Sequence, residues 1–171
     1  MSGVLHRAES VEAVDRPAEA VAGTVRRAVR GRAGAFLRGS WLGHPVHPLL
    51  VTLPIGAWTS SLVLDAAGRR NAARQLVALG LASTAPTVLA GLADFADLDT
   101  RQRRVGLLHA SANVVATGLF LCSYRCRRRG RHKAGTVWST AGLLVLGAGG
   151  ALGGHLSYAQ GAGVHRWQSD R

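Results

Sequence analysis

A chain of 171 residues suffices for one domain, but 47% are hydrophobic and only 18% charged, against about 25% in ordinary soluble domains. The net charge of +12 sits in short bunches of arginine between apolar runs, with two Tyr and three Phe available for base stacking. That pattern argues against nucleic acid as a partner and for a lipid bilayer. Cys122 and Cys126 are four apart, a spacing that places them on one helix face and does not suit a disulfide.

The chain opens with a polar stretch, residues 1–40. Val11, Val14, Ala18, Val21, Val25 and Val29 recur every three or four residues, with Arg26, Arg27 and Arg30 on other faces. This predicts an amphipathic basic helix suited to the headgroup region. Pro17 argues for a helix that starts after it, and the residues before Val11 are expected to be disordered. No apolar stretch followed by a small-residue cleavage site precedes the first long apolar run, so that run is expected to direct insertion itself.

Four apolar segments follow, from about Pro48 to Ala67, Leu76 to Ala93, Val105 to Tyr124 and Ala134 to Tyr158. Each approaches the roughly 20 residues a helix needs to cross the hydrocarbon. They are apolar nearly all round, whereas helices of a soluble bundle carry a polar stripe. The predicted fold is therefore all-α: an integral membrane four-helix bundle over 41–164, behind an amphipathic interfacial helix and before a short tail, 165–171. Pro54 and Pro86 lie inside spans, where hydroxyls and neighbouring helices can satisfy the freed carbonyls. In the fourth span LGAGGALGGH offers two GxxxG pairs, Gly149 with Gly153 and Gly150 with Gly154. Close helix packing is their expected use, and a seat for a flat cofactor is the alternative. Of these pairs, Gly150 and Gly154 are expected to meet a neighbouring backbone. Trp41, Trp58 and Trp138 are candidates for the aromatic belt.

Short loops force the spans to alternate in direction. Call the end where the first span starts side A. His44, His47, Asp94, Asp97, His109, Asn113 and His155 all then fall near side A, although they come from four separate stretches. Ionisable groups at membrane depth are costly, so such a gathering is a site by default. Two ligand sets present themselves. His109 and His155, or His47 with either, could supply axial ligands to a haem b, with Asn113 one turn from His109. His44, His47, Asp94 and Asp97 could instead hold a divalent metal. The competing structural readings are a helix cap for His47, pairing of Asp94 and Asp97 with Arg101, Arg103 or Arg104, and an interhelical hydrogen bond for Asn113. No nucleophile–base set, phosphate loop or zincin helix occurs, so no catalytic residue is assigned. Side B carries nine basic residues in short loops, which predicts side B in the cytoplasm, although the basic lead-in pulls the other way.

WLGHPVHPLLVTLPIGAW, GLADFAD, RRVGLLHASANVVA and GGHLSYAQGAGV resemble, in that order, the successive motifs of the bacterial membrane family known as domain of unknown function 2231. The resemblance covers about Trp41 to Val164. It implies four spans in a bacterial cell membrane and, because some members carry a Rieske-type iron–sulphur domain after the fourth span, a redox partner of that kind. Here the expected short tail stands in that place. A membrane scaffold whose polar cluster only locks the helices together is the alternative to electron transfer or divalent-metal binding.

Overall fold

The computed structural model describes residues 2–163; the expected tail, with His165 and Arg166, lies outside the described residues. Helices α1 (Ser2–Ala8), α2 (Asp15–Ala28) and α3 (Gly31–Arg38) precede α4 (His47–Leu50), which leads into α5 (Thr52–Ala66). Then come α6 (Arg70–Phe95), α7 (Thr100–Arg128) and α8 (His132–Gly154), and the chain continues through a π-helical turn, His155–Ala159. No strand occurs among the described residues. Four helices are long and apolar enough to cross a membrane: His47–Ala66, Arg70–Phe95, Thr100–Arg128 and His132–Ala159. They overrun the expected apolar runs at most ends, because a helix does not stop where its apolar composition stops and arginine can reach outward to the headgroups.

The chain forms two compact units. The first holds the residues up to Pro48, Val88–Ser111 and the chain from Gly149 onward; the second holds Leu49–Thr87 and Ala112–Ala148. Every stretch assigned to side A except Asn113 belongs to the first unit, and both arginine-rich side B loops belong to the second.

In the first unit, Ser2–Ala8 forms helix α1 in a stretch where disorder was expected, and Ala8 and Glu9 are buried. Pro17 does not interrupt α2, which already starts at Asp15. Its missing N–H falls in the first turn, where no intrahelical acceptor exists. Ala18 and Ala22 of α2 are buried against Phe95 and Leu98, with Leu107 and Leu156 alongside. Helix α3 ends at Gly39, whose φ is +86° and whose N–H donates to Ala35 O and Phe36 O. A Cβ there would lie 2.0 Å from His44 O, so the turn into GHPVHP requires glycine.

In the second unit, Trp58 and Phe120 stack with ring centroids 4.0 Å apart and planes 8° from parallel. Val77, Ala116 and Leu146 complete that cluster. Trp58 is thus a buried packing residue, while Trp41 and Trp138 are exposed. Pro54 cannot donate to Leu50 O. The Thr87 hydroxyl, which donates to Ser83 O at 2.8 Å, lies 3.4 Å from that carbonyl, the kind of relief that lets proline persist in a span. Leu144 and Val114 are 73% and 72% exposed, as lipid-facing side chains should be.

Candidate functional site

Among the described residues, two histidine pairs lie in the first unit. His47 and His109 stand with ring planes 88° apart and centroids 6.3 Å apart. His109 Nδ1 is 2.8 Å from Gly149 O; a carbonyl only accepts, so Nδ1 carries the hydrogen and a neutral ring keeps its lone pair on Nε2. A glycine backs each ring. A Cβ on Gly91 would come within 2.9 Å of the His47 ring, and one on Gly153 within 2.8 Å of His109. Within the Gly149–Gly153 pair, the space beside Gly153 is filled by the His109 imidazole, and Gly149 offers that ring its carbonyl. A Cβ on Gly150 or Gly154 would meet nothing within 4 Å. The expectation that these two glycines meet a helix backbone is corrected, since a shift of one residue turns the side chain by roughly 100° around the helix.

His155 has other partners than His109. Its Nε2–H donates to Glu9 Oε1 at 2.6 Å, and its ring meets that of His6 edge to face at 5.4 Å. His6 Nδ1 is 3.4 Å from the same carboxylate oxygen, and Arg101 pairs with Glu9 Oε2. The hydrogen bond from His155 holds the Glu9 carboxyl below the usual carboxylate range, against the opposing effect of burial.

The arginines at the start of α7 serve the N-terminal segment. Arg104 grips both carboxylate oxygens of Asp15 at 2.7 Å, and that hydrogen bonding lowers the Asp15 pKa. Arg103 pairs with Glu19, and Asp97 pairs with Arg38 at 2.7 Å. The acids of α2 and of the α1–α2 connection reach the guanidinium groups of Arg101, Arg103 and Arg104, and α3 supplies a cation for Asp97.

Of the remaining expected site residues, His44 is exposed, Asp94 is half-buried three residues beyond Gly91 on α6, and Asn113 belongs to the second unit. Among the described residues, His6, Glu9 and His155 are the group of three whose ligand atoms converge, all within 4.8 Å. Glu9 went unnoticed in the sequence because it lies in a stretch read as disordered.

The second unit holds a pair that also escaped notice. Arg127 is 1% exposed. It donates to Asp65 Oδ1 at 2.6 Å and Oδ2 at 2.5 Å, and to the hydroxyls of Ser123 at 3.0 Å and Ser139 at 3.3 Å. Thr136 donates to Asp65 Oδ2 at 2.9 Å. An available signal was Asp65 itself, an acid within the first apolar run; Arg127 was masked by its arginine neighbours.

No curated protein and no solved structure matches the chain. A family model does, over residues 43–166, and its description is a predicted membrane protein. The match takes in all four spans and both histidines of the His47–His109 pair, and the chain belongs to the domain of unknown function 2231 (DUF2231) family.

Proposed function

We propose that this multi-pass membrane protein acts in the bacterial cell membrane as an electron carrier, with haem b held between His47 and His109. The observation that carries the reading is the 6.3 Å separation of two perpendicular imidazoles, each on a helix long and apolar enough to cross a membrane. Two imidazoles sharing one metal along a common axis have centroids roughly 6 Å apart, from metal–nitrogen bonds of about 2 Å plus the ring radii. The bond from His109 Nδ1 to Gly149 O fixes the tautomer and orientation in which Nε2 is the ligand. Gly91 and Gly153 give each ring a socket with no side chain to push it aside. Because His109 fills the glycine face of α8, a flat group would enter between the rings. Bound haem would supply reversible one-electron oxidation, and an iron–sulphur protein of Rieske type is the partner class suggested by the family resemblance.

The test is a visible spectrum of detergent-purified protein, oxidised and then reduced. Haem absorption is expected in the wild type, lost in His47→Ala and in His109→Ala with elution profile unchanged, and retained in His155→Ala. A wild type with no haem spectrum favours the scaffold reading, in which the rings simply pack edge to face, since aromatic pairs also fall at 4.5–7 Å.

A further inference from the structure

We infer that His6 Nδ1, Glu9 Oε1 and His155 Nε2 form a binding site for a divalent transition-metal ion of the zinc class. The site is independent of the His47–His109 pair, which contributes no ligand to it. Three donors around a tetrahedral ion, at bonds of about 2.0–2.1 Å, stand roughly 3.3–3.4 Å from one another. His6 and Glu9 already meet that spacing at 3.4 Å. His155 and Glu9, at 2.6 Å, are held together by a proton that a metal would replace, and no pair exceeds 4.8 Å. Capture moves that proton to Nδ1 of a neutral ring, or to solvent from a protonated one.

The donor chemistry is selective. Two imidazoles and a carboxylate suit zinc, cobalt or iron over magnesium or calcium, which take oxygen ligands. The exposures are also those of a site that an ion can enter. Glu9 and His155 side chains are 9% and 6% exposed, forming a fixed floor, while His6 is 67% exposed and free to close over the ion. Arg101 orients the carboxylate through Oε2 and leaves Oε1 to the metal. At 73% exposure its own charge is largely screened. The chain geometry gives the ion a structural consequence. His6 and Glu9 belong to the N-terminal segment, whereas His155 opens the π-helical turn in which Gln160 N donates to His155 O at 3.1 Å. One bound ion therefore ties the chain's first helix to the end of its fourth span.

Cobalt(II) and zinc titrations of tag-free protein in detergent test the inference. Cobalt should add one equivalent of a visible tetrahedral band, which zinc abolishes. His6→Ala, a surface change that leaves the floor intact, should weaken zinc binding by about tenfold or more, and Glu9→Gln should do so at least as strongly. His132→Ala should leave affinity unchanged. A wild type that binds no zinc or cobalt at micromolar concentration overturns the inference. So does a His6→Ala protein that binds as tightly as wild type, which would place the ion elsewhere.

Discussion

Removing the guanidinium of Arg127 should be among the most damaging single changes in the second unit. Arg127→Met keeps most of the aliphatic volume but deletes the donors to both Asp65 oxygens, at 2.6 and 2.5 Å, and to Ser123 and Ser139. Asp65 is then left with the Thr136 hydroxyl alone among the partners described above. Breaking a buried ion pair from one side costs about 3–5 kcal/mol, because the remaining charge is uncompensated. For a chain of this length about 2–4 °C of midpoint follows each kcal/mol, so a loss of roughly 6–20 °C is expected. The double change Asp65→Leu with Arg127→Met removes both charges and should be less harmful than Arg127→Met alone. Thermal unfolding in detergent, followed as loss of the monodisperse elution peak, measures all three. The reasoning is refuted if Arg127→Met melts within a few degrees of wild type, or if the double variant is worse than the single.

Two further outcomes are expected. Gly153→Ala should destabilise by about 1–3 kcal/mol through overpacking on the His109 ring, whereas Gly150→Ala, with nothing within 4 Å of its new methyl, should be neutral or gain up to about 1 kcal/mol of helix propensity; equal effects in detergent melts would show that the two faces are equivalent. Glu9 and Asp15 have lowered pKa values, so their contribution to holding the N-terminal segment is present above the ordinary carboxylate pKa of about 4 and is lost as pH falls through the lowered folded values. A fluorophore on Gly3→Cys, in a background with Cys122 and Cys126 replaced by serine, should report low mobility at neutral pH and release below about pH 4, and mobility unchanged down to pH 2 would contradict this.

The spans were legible because lipid constrains them twice, in length and in the near absence of charge. Alternation of short loops assigned His44, His47, Asp94, Asp97, His109 and His155 to one side, and these six belong to the first unit. What the sequence withheld was partner choice. His47, His109 and His155 are equivalent donors on paper, and only the packing decides that His109 meets His47 while His155 meets Glu9 and His6. The residues before Val11 read as disordered. Glu9 pairs with Arg101 and Asp15 with Arg104, both on α7, and contacts with partners 92 and 89 residues away are not visible in the local sequence. Asp65 and Arg127 are 62 residues apart, and nothing in a run of arginines marks which one turns inward.

The glycines show how these helices are held without a hydrophobic drive between them. Small residues in membrane helices are usually credited with letting backbones approach. Here a large side chain repeatedly settles over a glycine. A Cβ on Gly80 would come within 2.2 Å of Trp58, on Gly142 within 2.9 Å of Phe120, on Gly135 within 2.5 Å of Arg127, and on Gly106 within 3.0 Å of Phe95. His47 over Gly91 and His109 over Gly153 follow the same rule. In each case the missing methyl is the space the ring or stem occupies, so the contact gains dispersion on a flat face and fixes a rotamer at once. For the two histidines that arrangement does more than pack. A ring seated on a glycine, with Nδ1–H of His109 bonded to a carbonyl of the same helix, has lost its rotational freedom before any ligand arrives, so the entropy of orienting it is not charged against binding.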